Sequence, residues 1–170
     1  KVFFQNPDDD SLFKDLGITT NTNTVVIHGS GVDVEEYKNS PLSLEPRFLL
    51  IARLLGDKGV REYAEASRVV RQKYPQATFS LVGWIDENPD AIKQHEVEKW
   101  KSNGSIQFLG RLKDVRKAIA ASNIYVLPSY REGTPRTVLE AMAMGRPIIT
   151  TDVPGCRETV VNGKNGFLIS

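Results

Sequence analysis

The 170-residue chain contains one cysteine, two histidines and two tryptophans, and it has no long apolar run. A single thiol, Cys156, cannot form an internal disulfide, which is typical of a reducing compartment such as the cytoplasm. No apolar run approaches the ~18 residues that a membrane-spanning helix needs. Because 22 lysines and arginines face 21 aspartates and glutamates, a basic nucleic-acid-binding face is not expected. These absences leave a cytoplasmic enzyme domain or binding domain.

Residues 1–170 are expected to form one domain. The chain is 40% hydrophobic and 25% charged, and it is long enough to bury a core without disulfides or a structural metal. It contains no internal repeat, and its polar stretches are too short to divide it. It opens on KVFF and closes on GFLIS, although natural termini are usually loose and polar. We therefore expect it to be a piece of a longer protein.

Short apolar runs alternate with segments of helical period. The expected strands are residues 24–28, 47–53, 77–83, 105–110, 123–128, 147–150 and 166–169. The expected helices are residues 58–74, 89–100, 115–121, 135–144 and 154–161. This alternation predicts an α/β fold with a Rossmann-like, doubly wound parallel sheet. Ligands of such sheets bind beyond the carboxyl ends of the strands.

The most informative strand end is followed by PSYREGTPRTVLEAMAMG. Thr134 is predicted to cap a helix in which Pro135 takes the first position. The backbone N–H groups of Arg136 and Thr137 would then lack partners at the positive end of the helix dipole. Such a helix end is a ready phosphate site.

Two glutamates flank this helix start. Glu132 directly precedes it and Glu140 lies about two turns into it, so they could bind hydroxyls at opposite ends of one extended ligand. The alternative is that Glu132 caps the helix and Glu140 is a surface residue. A seven-residue gap between two glutamates is common by chance, so the pair alone is weak evidence.

A second polar strand end carries IARLLGDKG. Arg53 and Lys58 flank a tight turn, and this pair of cations suits a diphosphate. The alternative, which the motif alone favours, is a solvated turn with Lys58 paired to Asp57.

A third strand end carries HGSGVD. Gly29 and Gly31 match the start of a dinucleotide fingerprint, but Val34 occupies the third glycine position, so the match is weak. Close approach of this backbone to a ligand or to a facing domain is an open alternative.

Other candidate residues have simpler interpretations. Asp8 and Asp10 have the DxD form of a metal–diphosphate site, but they start a short helical pattern, where acids favour the helix N-terminus. No metal site is expected, and Cys156 is not expected to be a nucleophile. Trp84, at a strand end, could line a base pocket, whereas Trp100 is expected to pack on the inner face of its helix.

Taken together, five segments resemble the family 4 glycosyltransferases, retaining enzymes of GT-B fold. The segments are ARLLGDKG, the LVG strand end, QFLGRL, VLPSYREGTPRTVLEAMAMGRPIITTDVPG and NGKNGFL. Their order and spacing match the C-terminal, nucleotide-sugar-binding domain of that family over nearly the whole chain. The EGTPR and AMAMG segments are similar to those of bacterial transferases which build capsule, O-antigen or lipid-linked oligosaccharides.

The resemblance implies roles for individual residues. Arg53 and Lys58 would hold the donor diphosphate, Glu132 would contact the transferred sugar, and Glu140 would contact the ribose. Glu132, Arg53 and Lys58 are thus the expected catalytic residues. The sugar and phosphate would be cradled by Gly133, Thr134, Pro135, Arg136 and Thr137. The base would be flanked by Gly83, Gly110, Arg111 and Leu112.

Two departures from the family pattern affect these roles. EGTPR stands where the family often has EGFGL, so Arg136 adds a charge near the diphosphate. GSGVD replaces the commoner NGVD, which leaves the contacts of Gly29 and Gly31 open.

The resemblance also implies a reaction. A UDP-hexose or UDP-N-acetylhexosamine would donate its sugar, with retention and without metal or other cofactor, to a saccharide or lipid-linked acceptor. A preceding domain absent from this chain would bind the acceptor, so the chain alone is expected to transfer no sugar. The full-length enzyme is expected to associate peripherally with the inner face of the plasma membrane.

Two alternatives stay open. One is a GT-B epimerase or phosphorylase, which the combined basic pair and glutamate pair disfavour. The other is a non-catalytic nucleotide-binding or dinucleotide-binding module, which would need a fuller glycine fingerprint at Gly29.

Overall fold

The computed structural model describes the whole chain, Lys1–Ser170, and contains two parallel sheets. The smaller sheet belongs to an N-terminal βαβ unit, which consists of β1 (Val2–Phe4), α1 (Pro7–Asp15) and β2 (Thr24–Val26). The expectation that residues 24–28 join the main sheet is therefore wrong. β2 pairs only with β1, and the unit closes on itself where the Phe4 and Phe13 rings meet edge to face at 5.1 Å.

The larger sheet has six strands, all parallel, in the order β5-β4-β3-β6-β7-β8. Its strands are β3 (Arg47–Ile51), β4 (Thr78–Val82), β5 (Gln107–Gly110), β6 (Ile124–Leu127), β7 (Ile148–Thr151) and β8 (Gly166–Ile169). Each coincides with a run predicted from the sequence. The strand order reverses between β3 and β6, so the loops that follow these two strands face each other across a crevice, which is where open α/β sheets bind ligands.

Four helices connect the strands of the larger sheet: α2 (Val60–Lys73), α3 (Gln94–Ser102), α4 (Arg116–Ala120) and α5 (Arg136–Ala143). Tyr63 of α2 packs against Phe79, which is paired in register with Phe48. Tyr125, paired with Leu49, donates a hydrogen bond to Thr137 of α5. Because adjacent residues of a strand point to opposite faces, α2 and α5 cover opposite faces of the sheet. The predicted doubly wound architecture is confirmed.

The hydrophobic core follows from this layering. It is one cluster of 23 buried residues, and Leu49, Leu50 and Leu81 from the central strands are wholly inaccessible to solvent. Full burial of such a side chain stabilises the fold by roughly 2 kcal/mol. Trp100 packs against this cluster, as expected. None of the helices combines the length and the apolar character needed to cross a membrane.

Two predicted helices are wrong in part. The helix expected over residues 89–100 begins only at Gln94. The segment before it is held against the loop after β3, because the Ile92 N–H donates to the Leu54 carbonyl at 2.9 Å. The helix expected over residues 154–161 is reduced to a 3₁₀ turn at Arg157–Thr159. Gly155, at φ +83°, and the extended backbone of Val160 limit it on either side.

The acidic residues at the start of α1 interact with the helix N-terminus, which is the interpretation that the sequence favours. Asp8, Asp9 and Asp10 occupy the first turn, where they complement the helix dipole, and Asp10 pairs with Lys14 one turn later. The Asp8 carboxylate pairs with Arg157.

Candidate functional site

The loop after β3 carries the two predicted cations. Residues Gly56–Lys58 form a 3₁₀ turn, and Gly59, at φ +67°, connects this turn to α2. The side chain of Lys58 is only 15% exposed, and its Nζ lies 2.9 Å from Glu132 Oε1 and 3.9 Å from Asp57 Oδ2. The closer partner of Lys58 is therefore Glu132 and not Asp57. Arg53 is half-exposed, and its guanidinium lies 3.4 Å from the Asp86 carboxylate.

The loop after β6 carries Glu132. Its Oε1 accepts hydrogen bonds from Lys58 Nζ and, at 2.7 Å, from Ser129 Oγ. The Glu132 N–H donates to the Pro154 carbonyl at 3.1 Å. The carboxylate is thus directed across the crevice toward the β3 loop, and it is not the helix cap of the simpler interpretation.

These two loops enclose a pocket of about 220 Å³. We call it the diphosphate pocket, after the group that the sequence predicts there. Seven of the residues singled out from the sequence line it. They are Arg53, Lys58, Glu132, Thr134, Pro135, Arg136 and Thr137. Three basic side chains, one acid and the start of α5 therefore meet at the carboxyl ends of β3 and β6.

The start of α5 differs in detail from the prediction. Thr134 does not cap the helix, because Pro135 takes the N-cap position and no side chain accepts from the first-turn N–H groups. The Thr134 hydroxyl donates instead to the Gln5 carbonyl at 2.9 Å. The backbone N–H groups of Arg136 and Thr137 donate to no protein group, as predicted. Both residues line the diphosphate pocket, so the helix offers it two free donors and the positive end of its dipole.

Glu140, one turn after Arg136 on α5, does not line the diphosphate pocket. It is 6% exposed, and it accepts a hydrogen bond from Arg136 Nε at 3.0 Å, so it is not a surface glutamate. It lines a separate surface pocket with Tyr37, Val115 and Arg116. Burial, and next the neighbouring Glu140 carboxylate, raise the pKa of the Tyr37 hydroxyl. Arg136 therefore lines the same pocket as Glu132 and also pairs with Glu140.

A second pocket, of about 210 Å³, continues the first. We call it the base pocket, after the group that the sequence predicts there. It is mainly apolar, and the two pockets share Ile51, Ala52, Arg53 and Thr137. Gly83, Trp84, Arg111 and Leu112 also line it. The Arg111 guanidinium lies 4.6 Å from the centre of the Trp84 ring, within range of a cation–π interaction. The two pockets form one groove with a flat aromatic side chain at one end and Lys58 and Glu132 at the other.

Two predicted glycines, Gly110 and Gly133, line neither pocket, and in this they resemble Glu140. Gly110 accepts a hydrogen bond from the Gly83 N–H through its carbonyl, and the Gly133 carbonyl accepts one from Asn6. Gly83 itself has room for no side chain, because a Cβ atom there would lie 2.0 Å from the Ala52 carbonyl oxygen. These glycines shape the groove through the backbone.

Sequence reasoning missed Ser129, Tyr37 and Asn6, which contact or adjoin the candidate glutamates. Asn6 lies 126 residues before Glu132, and no local pattern signals a contact over such a separation. Cys156 is buried, and burial raises the pKa of its thiol, which opposes a nucleophilic role. The structure brings no three His, Cys, Asp or Glu side chains together in a way that could hold a metal ion.

Comparison with known proteins gives a consistent result. Residues 45–170 match the family described as "Glycosyl transferases group 1". The N,N'-diacetylbacillosaminyl-diphospho-undecaprenol alpha-1,3-N-acetylgalactosaminyltransferase of Campylobacter jejuni is 32% identical over 98% of this chain and 46% of its own length. The UDP-Gal:alpha-D-GlcNAc-diphosphoundecaprenol alpha-1,3-galactosyltransferase of Escherichia coli is 28% identical over 99% of this chain and 46% of its own. The chain thus spans about half the length of these relatives.

Solved structures agree on the fold. The Anabaena protein HepE in complex with UDP superposes with a TM-score of 0.83 at 26% identity, over 99% of this chain and 49% of HepE. A glycosyltransferase from Rickettsia africae superposes with a TM-score of 0.84 at 23% identity, over 100% of this chain and 49% of that protein. The architecture is therefore the α/β fold found in GT-B glycosyltransferases. By its sequence over residues 45–170 and by its fold, the chain belongs to the group 1 glycosyl transferases.

Proposed function

We propose that this chain binds a nucleoside-diphosphate sugar, and that the full-length enzyme transfers the sugar to a lipid-linked or polysaccharide acceptor with retention. The observation that carries the proposal is the continuous groove at the strand-order reversal. Its base pocket is mainly apolar, and its diphosphate pocket holds Arg53, Lys58 and the unpaired N–H groups of α5. That order of features suits a base, a diphosphate and a sugar in sequence.

The named relatives support the choice of donor and acceptor. One matched relative is a UDP-galactose-dependent transferase and another transfers N-acetylgalactosamine, each to a diphospho-undecaprenol-linked sugar. HepE was solved with UDP-glucose bound. We therefore propose UDP as the nucleotide, a hexose or N-acetylhexosamine as the sugar, and peripheral membrane association of the full-length enzyme at the inner face of the plasma membrane.

The mechanism we propose follows from the charges in the groove. Departure of the nucleoside diphosphate leaves growing negative charge on its phosphates, and Arg53, Lys58 and the α5 N–H groups would stabilise that charge. Glu132 would bind hydroxyls of the transferred sugar, and the Lys58–Glu132 contact of 2.9 Å would link the phosphate end of the site to the sugar end. No side chain in the groove is assigned as a nucleophile, so the leaving phosphate would accept the proton from the acceptor hydroxyl. Metal-independent catalysis remains a prediction.

Titration calorimetry with UDP, GDP, a panel of UDP-sugars and NAD tests the proposed function on the 170-residue chain. We expect saturable binding of UDP or a UDP-sugar and none of NAD, because the Gly29 loop lacks a complete dinucleotide fingerprint. Binding of NAD without any nucleoside diphosphate would refute the proposal. The UDP-sugar that binds most tightly identifies the sugar.

Tryptophan fluorescence tests where the base binds. Trp84 lines the base pocket, whereas Trp100 packs against the core, and the chain has no third tryptophan. We expect UDP to quench the emission of the wild-type chain and of Trp100→Phe, because a base that enters the pocket lies against the Trp84 ring. Trp84→Phe should lose the quenching. Quenching that persists in Trp84→Phe would place the base elsewhere.

A further inference from the structure

The loop that presents Glu132 is held from outside the main sheet by one buried side chain. Asn6, at the junction of β1 and α1, is wholly inaccessible to solvent. Its Nδ2 lies 3.3 Å from the carbonyl oxygen of Glu132, 3.2 Å from that of Gly133 and 2.9 Å from Asp9 Oδ2. Its Oδ1 accepts the Asp9 N–H at 2.8 Å, so the same side chain also caps α1. One amide group therefore links two consecutive carbonyls of the Glu132 loop to the N-terminal βαβ unit.

Neighbouring contacts restrain the same loop from the same side. The Thr134 N–H donates to Gln5 Oε1 at 3.0 Å. Gly29 lies so close that a Cβ atom there would be 2.8 Å from Thr134 Cγ2. Gly29 is thus a point of close approach between the HGSGVD segment and this loop, which explains the need for glycine there without a dinucleotide.

The same two carbonyl oxygens also lie close to the turn after β7. A Cβ atom on Gly155 would lie 2.1 Å from the Glu132 carbonyl oxygen and 2.4 Å from that of Gly133. The loop therefore runs between the N-terminal βαβ unit and the turn after β7. Without the Asn6 hydrogen bonds, the Glu132 and Gly133 carbonyls would lose their protein donor, and the backbone that presents the Glu132 carboxylate to Lys58 would lose that restraint.

The N-terminal βαβ unit is itself fixed to the main sheet by ion pairs near Asn6. Asp9, which accepts from Asn6 Nδ2, also pairs with Arg131 in the same loop. Asp8 pairs with Arg157 at 3.2 Å in the turn after β7. These charges lie on the outside of the contact, and exposed pairs of this kind contribute only modestly. The buried amide of Asn6 is the group whose removal leaves polar atoms unpaired.

We infer that Asn6 is a positioning residue for sugar binding, because it fixes the backbone of Glu132 and Gly133 so that the Glu132 carboxylate stays beside Lys58. This inference rests on the proposed function and extends it to a residue outside the nucleotide groove. Asn6 touches neither pocket and is not itself catalytic.

Asn6→Ser separates positioning from folding. Serine still caps α1, because its hydroxyl accepts the same N–H, but it is too short to reach the two carbonyls. Asn6→Ala removes both functions and serves as the matched comparison. Amide hydrogen exchange by NMR on the ligand-free chain is the first measurement. We expect Asn6→Ser to speed exchange of the Glu132 and Thr134 N–H groups at least tenfold, and to leave the core amides of β3 and β4 within twofold of wild type.

Calorimetry with UDP and with the tightest-binding of UDP-N-acetylgalactosamine, UDP-galactose and UDP-glucose is the second measurement. We expect Asn6→Ser to keep UDP affinity within twofold and to weaken UDP-sugar binding at least fivefold. Equal losses for both ligands, or unchanged loop exchange in a chain that still binds UDP, would overturn the role of Asn6. If the wild-type chain binds neither UDP nor any of these UDP-sugars, the proposed function itself is wrong.

Discussion

Replacing Arg53 and Lys58 together with alanine is expected to weaken UDP binding at least tenfold, which corresponds to about 1.4 kcal/mol. Both side chains line the diphosphate pocket, and the remaining positive charge there comes from Arg136 and from the dipole of α5. A diphosphate brought into that pocket would lose water contacts without gaining two charge-assisted hydrogen bonds. Calorimetry on the folded double variant measures the change. The loss should shrink as salt is raised, because screening weakens the attraction that the variant lacks.

Two controls are needed, one for the lost positive charge and one for the broken Lys58–Glu132 ion pair. Arg68→Ala with Lys101→Ala removes two positive charges from exposed ion pairs on α2 and α3, and UDP affinity should stay within twofold. Adding Glu132→Gln to the Arg53 and Lys58 double variant addresses the ion pair, since Lys58→Ala otherwise leaves the Glu132 carboxylate without its charged partner. Removing one member of such a mostly buried pair costs roughly 1–3 kcal/mol of stability. Unchanged UDP affinity in a folded double variant would show that the phosphate site is misplaced.

The strands of the main sheet were predictable because each is a short, continuous apolar run. Strands buried on both faces need such runs, and α2 shows an equally clear helical stripe with Pro75 just beyond its end. The groove followed from the same pattern, since polar residues that follow parallel strands must gather at one edge of the sheet. The positions of Arg53, Lys58 and Thr137 around one pocket therefore needed no knowledge of long-range contacts.

What the sequence could not predict depends on contacts between distant segments. Residues 24–28 have the composition of a sheet strand, yet β2 finds its partner in β1 because that pairing closes around Phe4 and Phe13. Thr134 has the right chemistry for a helix cap, but its hydroxyl donates a hydrogen bond to the Gln5 carbonyl instead. Local propensity gave the wrong answer at both places because the N-terminal βαβ unit supplies a competing partner. The same unit supplies Asn6, so the contacts that the sequence does not predict have one physical origin.

Gly59→Ala is expected to lower the free energy of unfolding by roughly 3 kcal/mol, from left-handed backbone strain together with overpacking. Gly59 has φ +67°, and a Cβ atom there would lie 2.1 Å from the Pro128 carbonyl oxygen and 2.6 Å from Pro128 Cγ. Both contacts are to the first residue after β6, so the added methyl group would force apart the two loops that enclose the diphosphate pocket. We therefore expect UDP affinity to fall in the same variant. Urea unfolding followed by circular dichroism gives the stability, and calorimetry gives the affinity.

Gly163→Ala separates the two causes. Gly163 has a similar φ of +78°, but a Cβ atom there would meet nothing within 4 Å. Its substitution carries the left-handed strain alone, about 1 kcal/mol, and should leave UDP binding unchanged because the residue lies in the turn before β8. Equal losses of stability in the two variants would contradict the close contact between the loops. A larger loss of stability in Gly59→Ala, together with weaker UDP binding, would show that the backbone contact between Gly59 and Pro128 sets the width of the diphosphate pocket. Fold stability and nucleotide affinity would then depend on the same pair of residues.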